Sequence, residues 1–544
     1  MAREKAVKLI IDFGDNQVFK GATTYTMILI LEKAKREKFK YAYVEELKES
    51  IEQLRAVHDV GKAKRERIQV VEVPMEEISK DVWVILTDEE KAIVEKIYEG
   101  SKRLEEVAEH IFVGVQTSAD KVYHLTKLGE EGEYYIVMSN ITGRTYRIEK
   151  GILRPLVSGE NVGRFIVKSY EKVILFPYEV TDSGYRLLTE KEIKEKYPNA
   201  WEYLLENKKL LESREKGKIA KTLGWYAFGR TQNIDKQHLI KLMVPRLVTD
   251  LKVAYDSNGQ FCLDNVDVNG ITLRKDVSYL YALALLNSSL LNYVFKKKSV
   301  EFASGYYSAN KQFIKDLPIK LPQTPEEKEL AEEIETTTEE IIELLKKHYE
   351  IKSLWQKWSE KLSDKKLTLR ALIDQWKRGI GVIPPENLFI TNVEFKSDEE
   401  TEFDEFDAVV EGKTLKILGR EADTFYTIAE IEASSEEIAE HLYFSLLSLL
   451  ESRRKVKTLG DLLSKTEIPT IRGSPKETVR IVNAIKTSAN VKHLTSSIKL
   501  AKENEAYLDA LVFKLYGLTR EEARLILREL KAPENYISSV LRYL

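Results

Sequence analysis

The chain of 544 residues carries 85 Lys and Arg against 88 Asp and Glu, a formal charge of -3, so bulk charge excludes a general attraction to polyanions. Its length asks for roughly two to four domains, and an apolar fraction of 43% against 32% charged excludes general disorder. One cysteine, Cys262, excludes an intrachain disulfide and any zinc site built on paired cysteines, which fits a reducing cytosol and a small buried side chain.

The start, Met1 to Lys8, is charged and lacks the apolar core of a secretory signal. No segment reaches the ~20 uncharged apolar residues that span a bilayer, so the expected location is the cytoplasm, with no membrane partner. Abundant Glu and Lys beside little Cys and Met is the composition expected of a thermophile.

Residues 1–40 contain two β-rich runs, VKLIIDF and TYTMILIL, whose nearly continuous apolar character suits strands buried on both faces of a sheet. Two strands do not make a stable domain. They are expected to complete a sheet supplied by another chain or by a preceding segment.

Residues 41–105 read as a connector, partly helical, in which Ile93, Ile97 and Leu104 share a face and Thr87 caps the start. Residues 106–322 switch to short strands, glycine-containing turns and many aromatics, a mixed β-rich pattern with one amphipathic helix at Val277 to Lys296. Pro318, Pro322 and Pro325 close it. Residues 323–544 are mainly helical, opening with a capping box of Thr324 and Glu327 around Pro325, and hold a small β insert near 383–434. The expected fold class is α+β.

The run IDFGDNQVFKGATTYTMILILEK resembles the last strands of the catalytic domain in TaqI-like adenine-N6 DNA methyltransferases, including the fused type IIG restriction enzymes. HIFVGVQTSADKVYHL, GILRPLVSGENVGRF, WYAFGR, YLYALALLNSSLLNYVF and KQFIKDLPIKLP resemble their C-terminal specificity region, and YLDALVFKLYGLTREEARLIL resembles the family's usual close. These segments follow the expected order over most of the chain. The resemblance implies the edge of a methyltransferase sheet, then a target-recognition domain for double-stranded DNA.

Enzymes that modify a base extrude it from the duplex and hold it in a pocket. In the resembling family a phenylalanine at the place of Phe19 packs against the flipped adenine; a core Phe ending a strand is the competing reading. The chain departs from the family in having no NPPY, DPPY or DPPW tetrapeptide and no Gly-rich strand-to-helix turn followed by an acid. No catalytic residue and no cofactor is therefore assigned to it. S-adenosylmethionine is expected in a separate catalytic half, either a methyltransferase chain or a missing N-terminal domain. The rival reading is a stand-alone DNA-binding or defence-system specificity protein.

Side chains at base edges read sequence, while phosphate contacts set register. Three turn clusters supply candidates: Asn140, Arg144, Tyr146 and Arg147; Trp225, Tyr226, Arg230, Gln232 and Asn233; and Ser304, Tyr306, Tyr307, Ser308, Asn310, Lys311 and Gln312. The third is favoured, because GYYSANK ahead of a Leu-Pro strand has few apolar reasons to exist. In the second, Trp225 and Tyr226 filling a core is the competing reading, and in the first, a solvated hairpin tip. Lys296, Lys297 and Lys298 suit either phosphate or the helix dipole.

Asp407 with Glu430 and Glu432 faintly resembles the acids of a metal-dependent nuclease, but Glu432 stands where the lysine belongs, and carboxylates on alternate strand positions equally make a solvated face. No metal site is expected, and the histidines show no ligand spacing.

Overall fold

Short apolar runs punctuated by turns build the first part of the chain, and long amphipathic helices most of the rest. The computed structural model describes residues 6–13, 18–19, 26–44, 68–75, 86, 88–168, 170–181, 184–265, 267–299, 301–302, 305–403, 405–421, 424–451 and 456–544. They form two units, Met1–Ala331 with Leu515–Gly517, and Glu332–Lys514 with Leu518–Leu544. The architecture is α+β. Among the described residues no helix is long and apolar enough to cross a membrane.

The first unit opens with strands β1 (Val7–Asp12), β2 (Met27–Leu31), β3 (Lys38–Val44) and β4 (Ile68–Pro74) in the order β2-β1-β3-β4. β1 runs antiparallel to β2 and parallel to β3, and β3 antiparallel to β4. Alternation along β1 sends Ile10 into a cluster with Val7, Phe39, Val73 and Met75, and Ile11 into another with Phe13, Ala42 and Val44. Both faces are thus apolar, as the sequence pattern required. Two strands were expected and four are present among the described residues: β4 and most of β3 fall where a connector was read. KFKYAYV misled because Lys38 and Lys40 flank buried Phe39 and lie on the same side as buried Ala42 and Val44, which hides the alternation. Thr87, the expected cap, lies outside the described residues.

β2 is an edge among the described residues, and Met27, Ile28, Ile30 and Leu31 are 58%, 44%, 40% and 49% exposed.

A six-stranded sheet follows, from Cys262–Leu263 through Leu153–Val157, Lys172–Leu175, His124–Glu131 and Tyr134–Ser139 to Thr145–Glu149. A second sheet orders Ala254–Asp256, Lys241–Pro245, Val268–Leu273 and Ala108–Val113. Gly270 lies where a Cβ would stand 2.6 Å from the Phe112 ring, so only glycine lets these two neighbouring strands keep their packing. A three-stranded ribbon of Leu247–Val248, Tyr306–Ser308 and Glu301–Phe302 completes the β structure that concerns the site.

The single amphipathic helix expected at Val277 to Lys296 is two helices, Tyr279–Asn287 and Ser289–Lys298. Ser288 divides them: its backbone is extended, and its hydroxyl accepts from the Leu291 amide to cap the second. Tyr281 to Asn287 are all buried, so every side of the first helix from Tyr281 onward is covered.

In the second unit a four-stranded antiparallel sheet, Ile390–Phe395, Thr424–Ala433, Thr414–Glu421 and Glu405–Glu411 in spatial order, shares a core with the helix Glu436–Leu450. The expected capping box forms at the head of the helix Pro325–Lys361: the Glu327 amide donates to Thr324 Oγ1, and the Thr324 amide to the Glu327 carboxylate, each at 3.2 Å. Arg520–Glu529 and Glu534–Tyr543 end the chain.

Candidate nucleic-acid interface

The residues from Gly305 to Lys311 leave the ribbon and enter the short helix Lys311–Ile314. Gly305 has a φ of 71°, a turn conformation that suits glycine. The next residue, Tyr306, is 42% exposed. Tyr307 points the other way, its ring 6.2 Å from Phe295 and 5.3 Å from the Lys296 ammonium. Ser308 is buried, its backbone paired with Leu247. Lys311 is exposed and reaches the Ile111 carbonyl at 3.4 Å. Ser304 lies outside the described residues.

This turn is held from beneath. Asn269, itself buried, donates to the Ala309 carbonyl at 2.9 Å, and Arg246 Nε donates to Asn310 Oδ1 at 2.6 Å. Arg246 occupies the single residue between Lys241–Pro245 and Leu247–Val248, beside Leu247, which is 55% exposed. Sequence reasoning missed both. The signal was a charged residue interrupting KLMVPRLV, an otherwise apolar strand pair.

The other two clusters are tied down. Arg144 pairs with Glu206, which also accepts from Tyr146, and Asn140 donates to the His124 carbonyl at 2.8 Å. Arg147 lies 3.7 Å from the Tyr134 ring centre and 3.6 Å from a Glu131 oxygen. Arg230 pairs with Glu215 at 2.6 Å. Exposed ion pairs of this kind are weak, so a phosphate can displace the acid, but none of these guanidinium groups is free in the structure.

Trp225 and Tyr226 are corrected: both are buried. Their rings pack edge to face with each other and with Trp201, at centroid distances of 5.1 to 5.9 Å. The Trp225 indole donates to Glu190 and the Tyr226 hydroxyl to the Leu188 carbonyl; burial pushes the Tyr226 hydroxyl up to about 12. They are core residues whose polar tips are satisfied internally, not surface contacts. Ser308 is corrected for the same reason.

Lys296 and Lys297 meet Asp250 and Glu90, and Lys298 lies 4.2 Å from the Tyr98 ring centre, burial holding its ammonium below the usual lysine range. Lys252, another group missed from sequence, is held low by burial and then by the neighbouring charge of Lys168. Phe19 is 59% exposed, so the core reading does not apply to it.

Glu430 pairs with Lys396 at 2.6 Å and Asp407 faces Lys502 at 3.4 Å. Among the described residues no group of three or more His, Cys, Asp or Glu side chains is placed to hold a metal ion. Among the described residues the strand after β1 is its antiparallel neighbour β2, and the sequence holds no NPPY-type tetrapeptide.

The turn, its supports and Arg246 all lie in one continuous stretch of sequence with a recognisable pattern. Residues 154–319 match the TaqI-like C-terminal specificity domain. The matched residues include Arg230, Arg246 and the 305–311 turn, while Arg144 and Arg147 precede them. The type II restriction enzyme and methyltransferase RM.Eco57I of Escherichia coli is 25% identical over 311 residues, 54% of this chain. The match spans 30% of that relative's length. Among solved structures, the type IIG restriction endonuclease BpuSI aligns over 62% of this chain and 39% of its own, with 11% identity and a TM-score of 0.31. A type I restriction-modification S subunit from M. genitalium aligns over 51% of this chain and 83% of its own, with 15% identity and a TM-score of 0.25.

Proposed function

We propose that this chain recognises a specific duplex DNA sequence within a restriction-modification system, on behalf of an adenine-N6 methyltransferase or type IIG enzyme. The observation that carries the reading is the coincidence of the specificity-domain match with a rigidly supported turn exposing Tyr306 and Lys311. Lys311 suits a phosphate, which fixes register without reading sequence. Tyr306 offers an exposed aromatic ring on the same segment.

The methyl donor and the residues that hold the adenine amino group belong to a catalytic half, and S-adenosylmethionine would bind there. Phe19 stacks on the flipped adenine in this reading, where one aromatic contact is worth ~1–3 kcal/mol. The exposed apolar strand β2 supports it too, since among the described residues it offers both an open edge and an uncovered surface to a neighbouring sheet. The cytoplasm is the compartment where such a system meets DNA.

The test is to purify the chain alone and with its companion from the source organism, then assay duplex binding and transfer of labelled methyl groups. Binding by the lone chain, with methylation only in the presence of a chain bearing an NPPY-type motif, is the expected result. Methyl transfer by the lone chain would overturn the division of labour. Absence of duplex binding in both samples would overturn the recognition role.

A further inference from the structure

The specificity domain contains seven arginines, and their surroundings differ in kind. Arg186, Arg230 and Arg274 face carboxylates. Arg214 is buried and donates to the carbonyls of Leu211, Thr117, Trp225 and Ala227, Arg164 donates to that of Asn287, and Arg154 lies over the Phe176 ring. Arg246 alone among them has its Nε held by a side-chain amide oxygen, that of Asn310, whereas the Nε of Arg214 is held by the Leu211 backbone carbonyl.

Its main chain is fixed on both sides. The Arg246 amide donates to the Asp267 carbonyl at 2.7 Å, and its own carbonyl accepts from the Ala309 amide at 2.9 Å. Among the described residues its two terminal nitrogens make no hydrogen bond and no ion pair, and the Asp267 carboxylate interacts with its charge only at longer range. The side chain is half-buried and is followed in the chain by exposed Leu247.

A guanidinium fixed at Nε by a neutral acceptor keeps its full charge and presents a planar pair of donors in a set direction. A carboxylate at the same place would instead cancel the charge and compete for the fork. A planar pair of donors matches two adjacent acceptors, and among the base edges of the major groove guanine O6 and N7 supply that arrangement. Holding the first group by a second one also limits its loss of rotamer freedom on binding.

We propose that Arg246 is a sequence-reading residue that donates to O6 and N7 of one guanine in the major groove, with Asn310 as the positioning residue that aims it. This rests on the duplex-recognition reading above and adds the base that is read and the group that reads it.

The test uses the full-length chain, in its methyltransferase complex if one co-purifies, and a library of random DNA duplexes, selected by binding and sequenced, for the native protein, Arg246→Ala, Arg246→Lys, Asn310→Ala and Asn310→Asp. The native protein is expected to enrich a motif containing an invariant G·C pair. Arg246→Lys keeps the charge but not the fork, so it should bind unselected duplex within about twofold of native while losing roughly 5- to 150-fold of preference at that one pair. Arg246→Ala should lose the same preference, Asn310→Ala part of it, and Asn310→Asp most of it, because the new carboxylate captures the guanidinium. A motif unchanged in both Arg246 variants would overturn the assignment while leaving duplex recognition intact, as would a loss of affinity uniform over all sequences, the mark of a phosphate contact. If the native protein selects no motif, sequence recognition itself fails, and Arg246 with it.

Discussion

The indole N–H of Trp355 donates to Nδ1 of His441 at 3.1 Å, and the opposite nitrogen of the same ring donates to the Pro469 carbonyl at 2.9 Å. This pairing requires the neutral imidazole with its proton on Nε2. Burial pushes His441 down to about 4 from an ordinary 6.5, and His348, buried in the same unit, falls equally far, with Lys352 and Lys502 adding to the effect.

Between pH 6.5 and 4 the unfolded chain therefore takes up protons that the folded second unit refuses. Stability supplied by these histidines is full above pH 6.5 and declines as the pH falls to about 4, by an amount on the order of a few kcal/mol for each. Unfolding followed by circular dichroism should show that slope, and His441→Gln should make it shallower. A midpoint temperature that stays level from pH 7 to 4.5 would contradict it.

Lys241 and Asp256 form an ion pair at 2.6 Å with both side chains wholly buried, and Asp256 also accepts from the amides of Gln260 and Phe261. Removing one partner strands a charge and two amides. Asp256→Ala is expected to cost about 3–5 kcal/mol in chemical denaturation. Asp256→Asn keeps an acceptor for these groups and should cost less.

Trp225→Ala should act on the fold and not on the interface. Loss of a buried indole from the Trp201, Trp225 and Tyr226 group is expected to cost about 3–5 kcal/mol, read as a lower denaturation midpoint. Duplex affinity of the fraction that remains folded should be unchanged; a selective loss of affinity in a fully stable variant would return Trp225 to the interface.

Tyr306→Ala combined with Lys311→Ala should weaken duplex binding and reduce the slope of log affinity against log salt by about one, for the one phosphate contact removed. Titrations by fluorescence anisotropy between about 50 and 200 mM salt decide this. Equal affinity at every salt concentration would remove the turn from the interface.

On β2, Ile28→Glu with Ile30→Lys should abolish co-purification with a methyltransferase chain while leaving duplex binding by the isolated chain intact. Both positions are exposed, so folding of the chain tolerates the exchange. Undiminished association would place the contact elsewhere.

The α+β class, the capping box at Thr324 and the two-faced apolar character of β1 were legible because each is written in local spacing. β3 and β4 were not, since a strand with charged residues on one side looks helical or irregular until its neighbour β1 is known. At the site, residue type was a poor guide to exposure. WYAFGR reads as a contact loop, but only the fold reveals that Trp201, distant in sequence, lies against its aromatics. Arg246 was hidden for the converse reason: its partner Asn310 is 64 positions away, and an isolated arginine among apolar residues carries no motif.

β2 has a consequence for how the protein must be made. A strand of Met, Ile and Leu whose edge is open among the described residues is a template for its own kind as well as for another neighbour. Copies made at high concentration would stick to one another through it and be lost to precipitates.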